Sequence, residues 1–418
     1  MYKRQVNQFK LRGSWGELGN QNTSNLYPFY EILPVKSNSG NWLVNGGKTN
    51  TADIPSLVST LLTWERVRSF NVGFDFGAFS NRLTGSFDYF VRKTVDMVGP
   101  APQLPLVLGI APAIVNNADM KSYGFEIELS WRDRIGEVDY GVKFNLADAQ
   151  QKVVKYPNTT NAFNDWYAGK MSGEIWGYTS LGIAKTDEEM KEHLASLPNG
   201  GQNQLGNKWG AGDIMYADIN GDGKVDGGKG TLADPGDQRI IGNSTPRYNF
   251  GLVLDASYKG FDVSIFFQGV GKRDYAPIVG TNGAVFWGAV NNIWQSMAME
   301  EHFDYFRPEG HPMGANLNGY YPRPDFTSNK NHQVQTRYLQ DASYIRLKNL
   351  QIGYTLPKQW INKLHINRCR VYVSGDNLWT GTSLASMFDP ETLAAGDWGS
   401  GKTYPLSKVI SFGLNVNF

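Results

Sequence analysis

The chain has 418 residues with 40 Lys and Arg against 39 Asp and Glu, and a net charge of +1 gives no electrostatic reason to expect a nucleic-acid partner. Its single cysteine, Cys369, excludes an internal disulfide framework. Aromatics at 13%, 47 glycines and only 19% charged residues suit many strands joined by turns better than a helical protein.

The opening residues, Met1 to Gln21, lack the basic start, apolar core and small-residue cleavage site of a signal peptide, so the chain is read as beginning within a strand. No stretch approaches the roughly 18 apolar residues of a membrane helix. The mean hydropathy of −0.40 is ordinary for a soluble chain. A membrane-spanning strand escapes that test, because it needs only about 10 residues with alternate ones facing lipid. Alternation is therefore the informative signal.

From Ser69 to Phe79, Phe70, Val72, Phe74 and Phe76 fall on one face and Asn71, Gly73 and Asp75 on the other. A turn at Ser80-Asn81 leads into Leu83, Phe87, Tyr89 and Val91, opposed by Thr84, Ser86 and Asp88, which predicts a hairpin. A second hairpin follows, with Phe125, Ile127, Leu129 and Trp131 before a turn at Ile135-Gly136. A third joins Leu252, Leu254 and Ala256 to Phe261, Val263, Ile265 and Phe267 through Lys259-Gly260. The chain closes on the alternation Ile410, Phe412, Leu414, Val416, Phe418. About ten strands are expected, joined alternately by tight turns and by long excursions at 19–62, 99–121, 156–246, 276–340 and 381–405. Within one excursion, residues 186–197 read as a helix capped by Asp187, with Met190, Leu194 and Leu197 on one side.

Two architectures fit this pattern: a membrane barrel, or a soluble sandwich whose alternate residues face a core. Strands of 11–17 residues, a face rich in Phe and Tyr, and loops long at one end only favour the barrel.

The sharpest local motif is Asp218, Asn220, Asp222, Lys224, Asp226. Oxygens at positions one, three, five and nine, with Gly223 at the bend and the Lys224 carbonyl, match the start of an EF-hand-type calcium loop. The twelfth position is Lys229 rather than Glu, and no pair of helices flanks the loop, so a bidentate ligand would come from Asp234, Asp237 or elsewhere. The competing reading is an Asx-rich turn that satisfies its own amides without metal. The loop aromatics Trp166, Tyr167, Trp287, Trp294, Tyr305, Phe306, Tyr320, Tyr321 and Trp398 are candidates for stacking on a sugar or peptide cargo, and equally for loop packing or a partner interface. His302, His311 and His332 have no metal or triad spacing, and Glu126 and Glu128 lie on a strand face, so no enzyme is expected.

Several phrases resemble landmarks of the SusC/RagA family of TonB-linked outer-membrane proteins, in order along nearly the whole chain. They are FKLRGSWGELGNQ (9–21), LTWERVRSFNVGFDFG (62–77), NRLTGSFDYFVRKTVDMV (81–98), NNADMKSYGFEIELSW (116–131) and GEIWGYTSLGI (173–183). The stretch from Tyr216 to Tyr275 is the most recognisable, and residues 341–357, 370–380 and 411–418 resemble the last three strands. The resemblance implies an all-β fold: an antiparallel transmembrane barrel of about 22 strands enclosing a plug, to which residues 1–418 contribute the C-terminal ten or so. The signal peptide, the plug and the TonB-contacting segment are not expected within this chain.

Location in the outer membrane of a Gram-negative bacterium is also implied, as is import of oligosaccharides or peptides driven by TonB. The implied partners are a SusD-like surface lipoprotein, membrane lipid, and the outer-membrane assembly machinery, which would read the strand ending at Phe418. A passive pore or structural barrel, and a secreted glycan-binding sandwich, are the alternatives.

Overall fold

The computed structural model describes residues 5–21, 29–55, 57–59, 62–99, 107, 109–110, 113–277, 284–288, 299–325, 329–362, 365–393 and 403–418. Ten long strands dominate it: β1 (Val6–Asn20), β2 (Glu65–Ala78), β3 (Leu83–Gly99), β4 (Val115–Ile135), β5 (Val138–Lys155), β6 (Arg247–Tyr258), β7 (Phe261–Lys272), β8 (Tyr344–Thr355), β9 (Arg368–Thr382) and β10 (Val409–Asn417). They form one antiparallel sheet in strict sequence order, an up-and-down meander. Among the described residues, no strand covers the outer edge of β1 or of β10.

The three tight turns all lie at one end. Lys259 and Gly260 take φ of 46° and 91°, the left-handed pair that a two-residue hairpin requires. Phe79, Ser80 and Asn81 are all left-handed between β2 and β3, one residue wider than the turn read from sequence, and Asn7 accepts the Ser80 N–H at 2.8 Å. The third turn is Gly136-Glu137. The β3–β4 excursion is shorter than expected, because β4 starts at Val115 and keeps pairing with Met97–Gly99 through bulges.

Register carries the alternation across strands. One apolar row runs Leu11, Phe74, Phe87, Ile127, Leu146, Phe250, and the next runs Phe9, Phe76, Gly85, Leu129, Phe144, Leu252, Phe267, Leu347. The opposite face is polar and ion-paired: Arg12 bridges Asp75 and Asp88 at 2.9 and 2.7 Å, and Arg370 pairs with Asp262. Leu11 is 72% exposed and Phe412 86%. Among the described residues no second sheet packs on this face, so the sandwich reading fails. A ten-strand apolar face of this size is compatible with lipid and not with water.

The buried core lies instead in the long connections at the other end. Tyr178, Ile214, Tyr216, Val225, Phe286, Trp287, Tyr338, Leu384 and Phe388 pack together from three separate excursions.

Candidate functional site

This loop domain is the candidate site. The excursion after β5 is built on two small pairings, Glu174–Gly177 with Arg239–Asn243 and Ser180–Ile183 with Ile214–Tyr216. Helix α1 (Asp187–Ala195) follows, and its cap is Thr186, whose Oγ1 accepts the Glu189 N–H at 3.1 Å. The expected cap, Asp187, is already helical and accepts the Ala211 N–H at 2.7 Å instead. Met190 and Leu197 are buried as the spacing suggests.

Asp213, fully buried, is the hub. Its two oxygens accept from Arg323 at 2.7 and 2.6 Å, from Asn331 at 2.9 Å, from the Lys330 ammonium at 2.9 Å and from the Gly210 N–H at 2.9 Å. Lys330 lies 4.9 Å over the Trp209 ring. A buried carboxylate is tolerable only with such complete partnering. The hub ties the excursion after β5 to the one after β7.

A second set of buried charges ties in the excursion after β9. Arg346 of β8 donates to Asp389 at 2.6 Å and to Glu391 at 2.8 Å, while Arg273 donates to the carbonyl of Leu393 at 3.0 Å. Burial pushes the Asp389 carboxyl up, but the Leu406 and Glu391 amides and Arg346 together hold it below the usual range. Neither hub has a sequence signature, since the partners lie scores of residues apart with no periodicity.

In the acidic loop, Asp218 accepts the N–H groups of Gly221 and Gly223 at 2.6 and 2.8 Å, and Asn220 accepts that of Asp222 at 3.0 Å. Asp222 accepts the Lys224 N–H at 3.2 Å, and the Lys224 ammonium sits 2.5 Å from Asp226, holding that carboxyl below its ordinary range. Asp237, buried beneath, accepts from Ile219 and Asp226 at 2.7 and 2.8 Å, and burial pushes its carboxyl up. Among the described residues no three of His, Cys, Asp and Glu converge as a metal-binding group. The arrangement is an Asx-rich turn whose oxygens retain the alternate spacing a hard cation uses.

The aromatics divide. Trp166, 40% exposed, and Tyr167 flank Lys170, whose ammonium is 5.9 and 5.3 Å from their ring centroids, and Tyr167 donates to Glu174 at 2.6 Å. Tyr305 is half-buried and stacks with Arg307 at 5.0 Å, and Tyr320 accepts from Gln340 at 2.8 Å. Trp287 is only 2% exposed and enclosed by Phe286, Tyr321, His332 and Tyr338, so it is core rather than a stacking platform. Phe306 and Tyr321 are buried too. Trp294 and Trp398 lie outside the described residues.

A meander with a lipid-compatible outer face, an ion-paired inner face and a folded loop domain over one end defines an outer-membrane β-barrel. The family model described as TonB dependent receptor-like, beta-barrel, matches residues 2–378, and the chain belongs to that family. Its likeness is to the SusC/RagA type. TonB-dependent receptor P3 of Formosa agariphila is 28% identical over 99% of this chain and 40% of its own length. TonB-dependent receptor SusC of Bacteroides thetaiotaomicron is 20% identical over 99% of the chain and 38% of its own. A solved structure of the RagAB peptide transporter superposes with a TM-score of 0.72 at 23% identity, over 100% of this chain and 41% of that one. The chain thus spans about 40% of the length of these relatives. The family is one of outer-membrane receptors and transporters of Gram-negative bacteria, not of enzymes.

Proposed function

We propose that residues 1–418 form the C-terminal part of a receptor barrel of about 22 strands, whose plug and TonB-contacting segment lie elsewhere in the full protein. That protein imports oligosaccharides or peptides across the outer membrane at the expense of TonB, with a SusD-like lipoprotein seated on the loop domain. The observation that carries this reading is the loop domain itself. Three excursions share one core and two buried ionic hubs, as suits a surface that recognises cargo or partner rather than loops fringing an open pore. The names of two similar proteins, SusC and the RagAB peptide transporter, support the same reading. We further propose that β10 is read by the outer-membrane assembly machinery, and that Trp166, Tyr167, Tyr305 and Tyr320 supply cargo contacts.

Uptake of labelled oligosaccharides and peptides by the source bacterium tests it, with the receptor gene intact, deleted, or deleted together with that of an adjacent lipoprotein. Import should vanish on deletion and on collapse of the proton gradient. Uptake that survives loss of the gradient but not of the gene would identify a passive pore.

The acidic loop within the excursion after β5 is proposed to accept a calcium ion through Asp218, Asn220, Asp222, Asp226 and the Lys224 carbonyl, as the alternate oxygen spacing suggests.

A further inference from the structure

We propose that the outer face of β2–β5 carries a binding site for the phosphorylated headgroup of an outer-leaflet lipid. The register sets Arg68 opposite Lys93, Lys93 opposite Lys121, and Lys121 opposite Lys152, so four cations stand in one row on four adjacent strands. All four share the face of the apolar belt: the next row towards the tight turns is Trp15, Phe70, Val91, Tyr123. Glu17 takes up Arg68 at 2.7 Å. Among the described residues no carboxylate forms an ion pair with Lys93, Lys121 or Lys152, and the Lys121 ammonium lies 5.1 Å over the Tyr123 ring.

Like charges directly opposite on paired strands repel by up to about 1 kcal/mol a pair, and an anion lying against the row turns that repulsion into attraction. Its height says which anion. From Lys93 to Leu83, the strand residues between the row and the turn, the chain runs about 34 Å at roughly 3.4 Å per residue. Tilted by about 35–45°, that is about 24–28 Å, the height of the apolar band of such barrels. The row therefore stands where the hydrocarbon ends and the headgroups begin, with aromatics immediately below it as in an interfacial girdle. Strand spacing makes the row roughly 14 Å wide, enough for one headgroup bearing more than one phosphate. The inference rests on the long loops lying outside the cell.

The test uses the full-length receptor in detergent, incubated with the phosphorylated glycolipid of the host outer membrane, the same lipid after phosphatase treatment, or inorganic phosphate, and read by native mass spectrometry. Wild type should retain the phosphorylated glycolipid and neither of the others. Lys93→Gln and Lys121→Gln should each weaken retention by about 5-fold and the triple change with Lys152→Gln by on the order of 100-fold, the scale of one charge per lysine near an anionic surface. Lys143→Gln on the inner face should leave it unchanged. Equal retention of the phosphatase-treated lipid, retention undiminished in the single variants, or displacement by inorganic phosphate at equal concentration would each overturn the proposal. The single variants keep the test open if the triple variant fails to assemble. Because retention is scored without cargo or energy, it can fail while import stands, and the reverse.

Discussion

The Lys330 ammonium lies 2.9 Å from an Asp213 oxygen, both side chains fully buried and 117 residues apart in sequence. The pair joins the excursion after β5 to the one after β7, inside the core that the two share. Removing one partner leaves an uncompensated buried charge, at a cost of about 3–5 kcal/mol. Asp213→Ala in the full receptor should abolish hydrogen-exchange protection around residues 202–216 and 329–338 while the strands of the barrel stay protected. Unchanged protection in both segments would show that the hub contributes little.

His332 gives the same domain a pH dependence. Its ring is buried against Trp287, with centroids 4.5 Å apart, and burial pushes it down to about 4 from an ordinary 6.5, with Asp325 opposing weakly. Between those values the unfolded state binds a proton that the folded state does not, so stability rises with pH in that window. It is fully present above about 6.5 and lost as pH falls through about 4, a difference of about 3 kcal/mol. Melting of the loop domain at pH 7 and pH 4.5 should show this loss, and His332→Gln should flatten it. An equally steep dependence in the variant would assign the titration elsewhere.

The cap of α1 is a smaller and local test. Thr186→Ala removes the acceptor for the Glu189 N–H and should cost about 1 kcal/mol, whereas Asp187→Ala leaves the cap in place. Hydrogen exchange of the Glu189 amide should quicken in Thr186→Ala and not in Asp187→Ala, which releases the Ala211 amide instead; the opposite result would mean that Asp187 is the cap.

Much of the barrel was legible before the structure because its signal is local. Alternation over Ser69–Phe79 or Gly124–Trp131, and a left-handed pair such as Lys259-Gly260, need only neighbouring residues to be recognised. The loop core was not legible. Trp287 reads as a recognition residue because it stands in a long excursion, and only the convergence of Tyr338, Phe286 and His332 from distant sequence reveals it as core. Asp213 and Arg346 escape the sequence for the same reason: a charge in a loop or on a strand looks solvated until its partners, 110 and 43 residues away, are brought to it.

In the acidic loop, the Lys224 ammonium at 2.5 Å from Asp226 occupies the side of that carboxylate a cation would take. Calcium should therefore raise the melting temperature of the loop domain modestly, and Lys224→Ala should enlarge the effect by removing the competitor. Asp218→Ala should abolish it. A melting temperature indifferent to calcium in wild type and Lys224→Ala alike would establish the loop as an Asx turn and nothing more.

The division of faces makes the sharpest prediction, because it pits neighbouring residues on one strand against each other. Ile127 lies between Phe87 and Leu146 in the apolar row, and Glu128 lies between Ser86 and Asn145 on the polar face. A lysine at 127 must be buried in hydrocarbon near mid-height and should cost about 2–4 kcal/mol. The same residue at 128 enters a surface already lined with charges and should cost little. Assembled receptor in the outer membrane, measured by its resistance to denaturation before heating, should fall sharply for Ile127→Lys and remain near wild type for Glu128→Lys. Since a one-residue slip of register exchanges the two faces, the reverse order would mean that β4 pairs differently. Equal tolerance at both positions would mean that the outer face of this sheet does not meet lipid.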